Sequence, residues 1–333
     1  MALLLVLFAA AAPPPPVVGG TNTSDYEEAV LLVMADRNGS QAICTGSLID
    51  PEWVLTAAHC VVDEGSFRIA TIDVYVGSTL NDLRLEVGAD DWLGHPDYDA
   101  SGYYDVGLVR LSRAINDVPL MPVNTDALRA RDIGVEYRIV GWGQSSDNDT
   151  SNPRKRYADV PLDQYDGQLM VTFDPDGQNA CHGDSGGPVL ELRSDGGYEI
   201  AGITNFAYGT SGDCEGNGVA DARVDYYLDW INSEAPTYTY EELNGTTETD
   251  TDADTDADTD SDADTDTDSD ADTDADTDAD AGNADLMEDP VRPSDVGEDY
   301  ETKGLCASAP GGAGGLLAAA GVAVALGRRR RGR

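Results

Sequence analysis

From Asp250 to Asp280 every even-numbered residue is aspartate, sixteen in all, with Thr, Ala or Ser between them. Such a run has almost no apolar area to set against the entropy of ordering it, and its charges repel, which predicts an extended, disordered spacer. Its carboxylates can also collect Ca²⁺, which takes six to eight oxygens, although the run lacks the glycines that let a loop wrap around the ion. Folding is therefore confined to the chain before it. Residues 17–240 hold 37 acidic and 13 basic residues, a net −24, and residues 245–303 add a further −22. With a formal charge of −43 over 333 residues, the chain lacks the basic surface that displaces counterions from phosphates, so nucleic acid is excluded as a partner.

Residues 17–240 read as all-β. Short alternating apolar runs recur at 29–33, 43–49, 71–76, 106–111, 137–140, 188–192 and 200–204. Turn residues such as Asn38-Gly39, Asp176-Gly177 and Asp195-Gly196-Gly197 separate them, the punctuation of a sandwich or barrel. One helix closes the region: Val224, Tyr227, Leu228 and Ile231 fall at i, i+3, i+4 and i+7.

Both ends read as targeting segments. Residues 1–12 form a short apolar run followed by four prolines, 13–16, and are assigned to a secretory signal with a Pro-rich pro-segment after it. Beyond the spacer, 241–304, the segment 305–333 contains Cys306, then 21 uncharged residues, then an Arg-rich terminus. As a helix those 21 residues reach ~32 Å, enough for a hydrocarbon core. The arginines would stay cytoplasmic and leave the rest outside. A basic tail with no membrane role is the alternative. The order of Cys, Gly/Ala/Leu segment and Arg cluster resembles the MYXO-CTERM sorting signals of myxobacterial exported proteins. That resemblance implies processing or lipid attachment near Cys306 and a cell-surface location in a bacterium.

Three segments carry chemistry. Leu55-Thr56-Ala57-Ala58-His59-Cys60 sets a histidine beside a cysteine, Asp105 leads the apolar run 106–111, and Gly183-Asp184-Ser185-Gly186-Gly187-Pro188 sets a serine in a Gly-rich turn. Each has a bland reading as a structural His, a cap or a turn. A serine hydroxyl is a poor nucleophile near neutral pH, and an imidazole of pKa ~6.5 can take its proton. An aspartate can hold that imidazole in the required tautomer. In the order His, Asp, Ser, the three resemble the trypsin/chymotrypsin-like serine proteases. Val17-Val18-Gly19-Gly20, Gly141-Trp142-Gly143 and Tyr227-Leu228-Asp229-Trp230-Ile231 agree with this, so the likeness runs from Val17 to about Ser233.

The resemblance implies two six-stranded antiparallel β-barrels with a C-terminal helix and a cleft between the barrels. It implies His59, Asp105 and Ser185 as a catalytic triad, and the backbone N–H groups of Gly183 and Ser185 as an oxyanion hole. Val17, freed by cleavage after Pro16, would place its ammonium beside Asp184. Activating cuts in the family commonly follow a basic residue, so the proline is a departure. Disulfides Cys44–Cys60 and Cys181–Cys214 are implied, with Cys306 left over; two bridges point to an oxidising, exported location. No Cys or His spacing supports zinc, so no metal is assigned.

By alignment Asn179 lies at the floor of the primary pocket, with Ala207 and Gly218 on its walls. Asn179 is neutral where trypsin-type enzymes carry Asp, which predicts cleavage after uncharged residues. Asn205, where the family usually has Ser, is expected to donate a hydrogen bond to the catalytic Asp. His95 reads as a surface loop residue, and His182 is given no catalytic role. The leading expectation is an exported serine endopeptidase acting on proteins or peptides, switched on by an activating protease and handled by sorting machinery. A catalytically silent surface binder, using the barrel as a scaffold, is the rival.

Overall fold

The computed structural model describes residues 17–99, 102–146, 149, 151, 153–174, 177–208, 214, 217–245 and 303–304. The acidic run Asp250–Asp280, the leader 1–16 and the segment 305–333 lie outside these residues. Two closed barrels of antiparallel strands make up the folded part. The first contains β2 (Ala29–Asp36), β3 (Gln41–Asp50), β4 (Trp53–Thr56), β5 (Ile69–Val76), β6 (Leu85–Gly94) and β7 (Gly107–Leu111), closed in the order β2-β3-β4-β7-β6-β5. The second contains β8 (Glu136–Gly141), β9 (Arg156–Tyr165), β10 (Leu169–Thr172), β11 (Pro188–Leu192), β12 (Tyr198–Tyr208) and β13 (Gly218–Arg223). Here β8-β9-β10-β13-β12-β11 closes through the β11–β8 pairing. Short β1 (Thr21–Asn22) adds to β9, and β14 (Lys303–Gly304) adds to β12.

The strands form where apolar residues alternate or run on. All but one of the first six residues of β2 are buried, because its two faces meet the barrel interior and the second barrel. Its neighbours on either side, β3 and β5, hold it in register from Leu31 through Ala35. Between the barrels Leu31, Tyr75 and Trp142 form a buried cluster. Trp142 is fully buried, and its indole N–H donates to the Ala29 carbonyl at 3.2 Å. A buried polar link accompanies it: the Tyr198 hydroxyl donates to Glu28, and Lys155 Nζ donates to the Tyr26 carbonyl at 2.7 Å. Each fully buried large apolar side chain here contributes roughly 1.5–3 kcal/mol.

The closing helix, α1 (Val224–Glu234), buries Val224, Tyr227 and Ile231, three of the four positions its periodicity assigns to the core; Leu228 is partly buried. A short α2 (Tyr240–Asn244) follows, capped by Thr239 and ended by Gly245 in the left-handed region. Among the described residues no helix is long and apolar enough to cross a membrane.

Candidate active site

The site is assembled from both barrels. β4 runs into a single 3₁₀ turn, Ala58–Cys60, that carries His59. Asp105 sits two residues before β7, which is the hydrogen-bonded neighbour of β4. Pairing of β4 with β7 thus brings the two side chains together from 46 residues apart. His59 Nδ1 and Asp105 Oδ2 lie 2.6 Å apart, and the His59 backbone N–H donates to Asp105 Oδ1 at 2.8 Å. Both residues are buried. The carboxylate thus grips the imidazole and its main chain at once.

The loop that bears Asp105 is braced by α1. The Tyr227 hydroxyl accepts a hydrogen bond from the Tyr104 backbone N–H at 2.9 Å, and Tyr104 holds a left-handed φ of 58°. His95 packs against the rings of Tyr104, Tyr227 and Trp230 at centroid distances of 4.9–5.8 Å. It is therefore not a surface loop residue; its side chain is 11% exposed and fills the aromatic cluster behind the loop. Burial pushes its pKa down despite nearby Asp97.

Ser185 comes from the second barrel, in the turn before β11. Gly183 and Gly186 take φ of 96° and 78°, conformations that side chains rarely adopt. A Cβ at Gly186 would stand 2.0 Å from Thr56 Oγ1 and 2.8 Å from Ala57 N, so only glycine lets the serine turn press against the strand leading to His59. The Ser185 carbonyl accepts from Thr45 N at 2.8 Å, and Cys60 Sγ lies 3.7 Å from it. Thr45 is a residue the sequence reading missed. Its hydroxyl donates to the Gly183 carbonyl at 2.9 Å and accepts from Trp142 N at 3.0 Å, while its own carbonyl accepts from Thr56 Oγ1 at 2.9 Å.

Asp184 points away from the cleft into the second barrel. Its carboxylate accepts from Gly143 N at 2.7 Å and Cys181 N at 2.9 Å. Complete burial pushes its pKa up to about 7, against the pull of those N–H groups and of the Arg156 cation. Val17 is buried in the same apolar cluster as Ala180, and Asn179 N donates to the Val18 carbonyl at 3.0 Å. The N-terminal residues are thus laid along the segment that leads into Asp184.

Both disulfides are formed as the resemblance implied. Cys44–Cys60 ties β3 to the His59 turn and Cys181–Cys214 ties the serine loop to the chain before β13. A closed loop of 16 residues contributes about 3 kcal/mol in the chain-entropy account. Among the described residues one group of potential metal ligands stands close together, Cys44, His59 and Cys60. Its sulfurs are spent in the disulfide and are not thiolates, so it fits no metal.

Asn179 is buried, and its amide donates to the carbonyls of Cys214, at 3.1 Å, and Asn217. Its amide thus braces the backbone at Cys214 and Asn217 and has both N–H groups engaged. Ala207 is buried in β12 opposite Val219 of β13. A Cβ at Gly218 would meet the Thr172 carbonyl at 3.0 Å and Val171 Cγ1 at 3.2 Å; glycine there serves the packing of β10. Asn205 donates to the Gly102 carbonyl at 2.7 Å, on the loop that leads to Asp105, and not to the carboxylate itself as the sequence suggested.

Two barrels, a His–Asp pair from one and a serine turn from the other, define the class of the chymotrypsin-like hydrolases. The comparisons agree. The trypsin family profile matches residues 17–231, well over half the chain, and the chain belongs to this family of serine endopeptidases. It is 32% identical to brachyurin of Leptuca pugilator over 57% of this chain and 87% of that one. It is 27% identical to chymotrypsin-like elastase family member 3B of Macaca mulatta, over 59% and 84%. With phenoloxidase-activating enzyme 1 of Spodoptera litura the identity is 29%, over 64% of each chain, so the match spans less than two thirds of that relative. The solved structure of HL collagenase shares the fold, with a TM-score of 0.55 and 23% identity, over 66% of this chain and 99% of the other.

Proposed function

We propose that the protein is an exported serine endopeptidase that cleaves after uncharged residues by way of an acyl-enzyme. The observation that carries this reading is the 2.6 Å contact between His59 Nδ1 and Asp105, set against a serine turn packed on the same strand. Asp105 keeps the Nδ1 proton, so His59 Nε2 is the basic nitrogen. It takes the Ser185 proton during attack on the scissile carbonyl and returns it to the leaving amine. Water then attacks the ester by the reverse path. Backbone N–H groups of Gly183 and Ser185 receive the oxyanion; losing one such donor costs about 3 kcal/mol of transition-state stabilisation.

Asn179 supports the uncharged preference: its neutral amide is occupied by the carbonyls of Cys214 and Asn217. Val17 released after Pro16 would supply an ammonium to the buried Asp184 and so set the oxyanion turn. The layout we propose is a signal at 1–12, a pro-segment at 13–16, a peptidase domain at 17–240, a spacer at 241–304 and a sorting segment from 305. Two disulfides support export; anchoring through Cys306 rests on the sorting-signal resemblance. The test is a fluorophosphonate probe on protein beginning at Val17. Labelling is expected to require Ser185 and to vanish in Ser185→Ala; labelling that persists in that variant, or is absent from the parent, overturns the reading.

A further inference from the structure

Two loops of the first barrel meet beside the His59 imidazole. One, 61–68, follows the 3₁₀ turn; the other leaves β6 at His95 and leads to Asp105 and β7. The first is pressed onto the barrel rim: a Cβ at Gly94 would stand 2.8 Å from Val62 Cγ1, and one at Gly107 2.7 Å from Val61 Cγ2. It then turns tightly, with Phe67 N donating to the Glu64 carbonyl at 2.8 Å. Glu64, at the head of that turn, stays accessible to solvent. Tyr98, from the second loop, donates its hydroxyl to the Glu64 carboxylate, and the Tyr98 N–H donates to the His95 carbonyl at 3.0 Å. The carboxylate is thus tied across the two loops, near enough for its charge to be felt by both His59 and Asp105.

Proton transfer decides what passes that carboxylate. To act as base and then acid, His59 must reach both the Ser185 hydroxyl and the leaving amine, so the peptide residues adjoining the scissile bond cross the imidazole. Asp105 occupies its Nδ1 side, which confines the substrate to the Nε2 side. Glu64 is the charge that those residues meet at the rim. The cation of its own loop, Arg68, is spent on Asp63 at 3.5 Å, and Asp63 also accepts from Ile69 N at 2.9 Å. Tyr98 offers Glu64 only a neutral hydroxyl. Packing of the loops around it pushes the Glu64 pKa up, and His59 pulls it back; a cationic side chain brought alongside favours the ionised form in the same way.

We propose that Glu64 makes the enzyme select peptides that carry Lys or Arg at a residue flanking the scissile bond, other than the uncharged residue received by the pocket that Asn179 braces. The inference rests on the hydrolase reading above, since it names a selectivity of that same cleft. Recognition is then divided between the barrels. The second barrel takes the uncharged side chain beside Ser185, and the first takes a basic neighbour beside His59. Tyr98 is the positioning residue: its hydroxyl holds the carboxylate over the cleft and keeps it from swinging out into solvent.

The test uses peptide pairs that differ only in Lys against uncharged norleucine at each flanking position. They are offered to the full chain beginning at Val17 and to its Glu64→Gln and Glu64→Lys variants, with fluorophosphonate labelling in parallel. In the parent, kcat/KM is expected to favour Lys about fivefold at one flanking position, as a partly exposed ion pair allows. The ratio should fall toward one in about 1 M salt, where the screening length is ~3 Å. Glu64→Gln should bring it to about one, and Glu64→Lys should turn the preference to Glu over Gln at that position. A parent that labels but shows no Lys preference, or a preference unchanged in Glu64→Gln, overturns the proposal and leaves the hydrolase reading standing. If the variants fail to label, the parent's salt series decides, and a Lys preference that survives high salt overturns it. Absent labelling of the parent removes both.

Discussion

Thr45 shows how the serine turn can depend on one hydroxyl that no motif marks. It is fully buried and bonds at once to Gly183, Trp142 and, through its main chain, Ser185 and Thr56. Thr45→Val keeps the shape and strands a buried carbonyl and a buried N–H, each worth about 1–3 kcal/mol when left unsatisfied. The variant is expected to lose roughly 2–4 kcal/mol in chemical denaturation and about tenfold in kcat, with KM changed less; Thr45→Ser should restore both. Asn179 yields a second prediction. Installing Asp there does not create a pocket for Lys or Arg, because the new carboxylate would face the Cys214 and Asn217 carbonyls in place of an amide donor. Asn179→Asp should lower the melting temperature and leave the peptide-library profile without a basic preference.

His59, Asp105 and Ser185 stand out in the sequence as candidates because their neighbours are as constrained as they are: glycines at positive φ, a cysteine beside the histidine, a strand behind the aspartate. Thr45 was not, since a threonine in a strand looks like every other. The bracing role of Asn179 and the direction of the Asn205 amide were likewise hidden, for they depend on which carbonyls the loops bring near.

At the level of elements, alternation found the strands that bury one apolar face. The run 188–192 coincides with β11, and 29–33 and 43–49 lie inside β2 and β3. β6 escaped because Asp90 and Asp91 sit in its middle, where the register shifts against β7. β9 does alternate, but Arg156 takes one buried position beside Ala158, Val160 and Leu162. β13 is buried along its whole length with Gly, Ala, Asp and Arg, so no period survives in it. Its Asp221 is fully buried, Oδ2 accepting from Thr172 Oγ1 at 3.0 Å and Oδ1 having no partner. Burial holds that carboxyl well above the usual carboxylate range. The folded state therefore keeps a proton the unfolded state sheds near pH 4, and stability falls as pH rises above that point until the folded group ionises. Asp221→Asn should match the parent near pH 4 and exceed it increasingly toward neutrality, as read from denaturant midpoints across that range.

For the molecule as a whole, Asp184 links the N-terminus to the site. In the uncut chain its pKa is pushed up to about 7 by burial, so it costs stability as pH climbs from about 4 to about 7, by up to about 4 kcal/mol. An ammonium at Val17 would draw that pKa back down and remove the slope. Denaturation profiles of the uncut and Val17-started chains should converge near pH 4 and separate by pH 7.5, with the processed chain the more stable. Parallel profiles would show that Asp184 finds its counter-charge elsewhere.

His59 and Asp105 belong to one barrel and Ser185 to the other, so neither barrel alone holds the three residues proposed as the triad. On the proposed reading, a nascent chain with only its first barrel collapsed would lack the nucleophile and be inert toward its neighbours. Proteolytic competence would then be a property of completed assembly, a safeguard against digestion while the chain is being made.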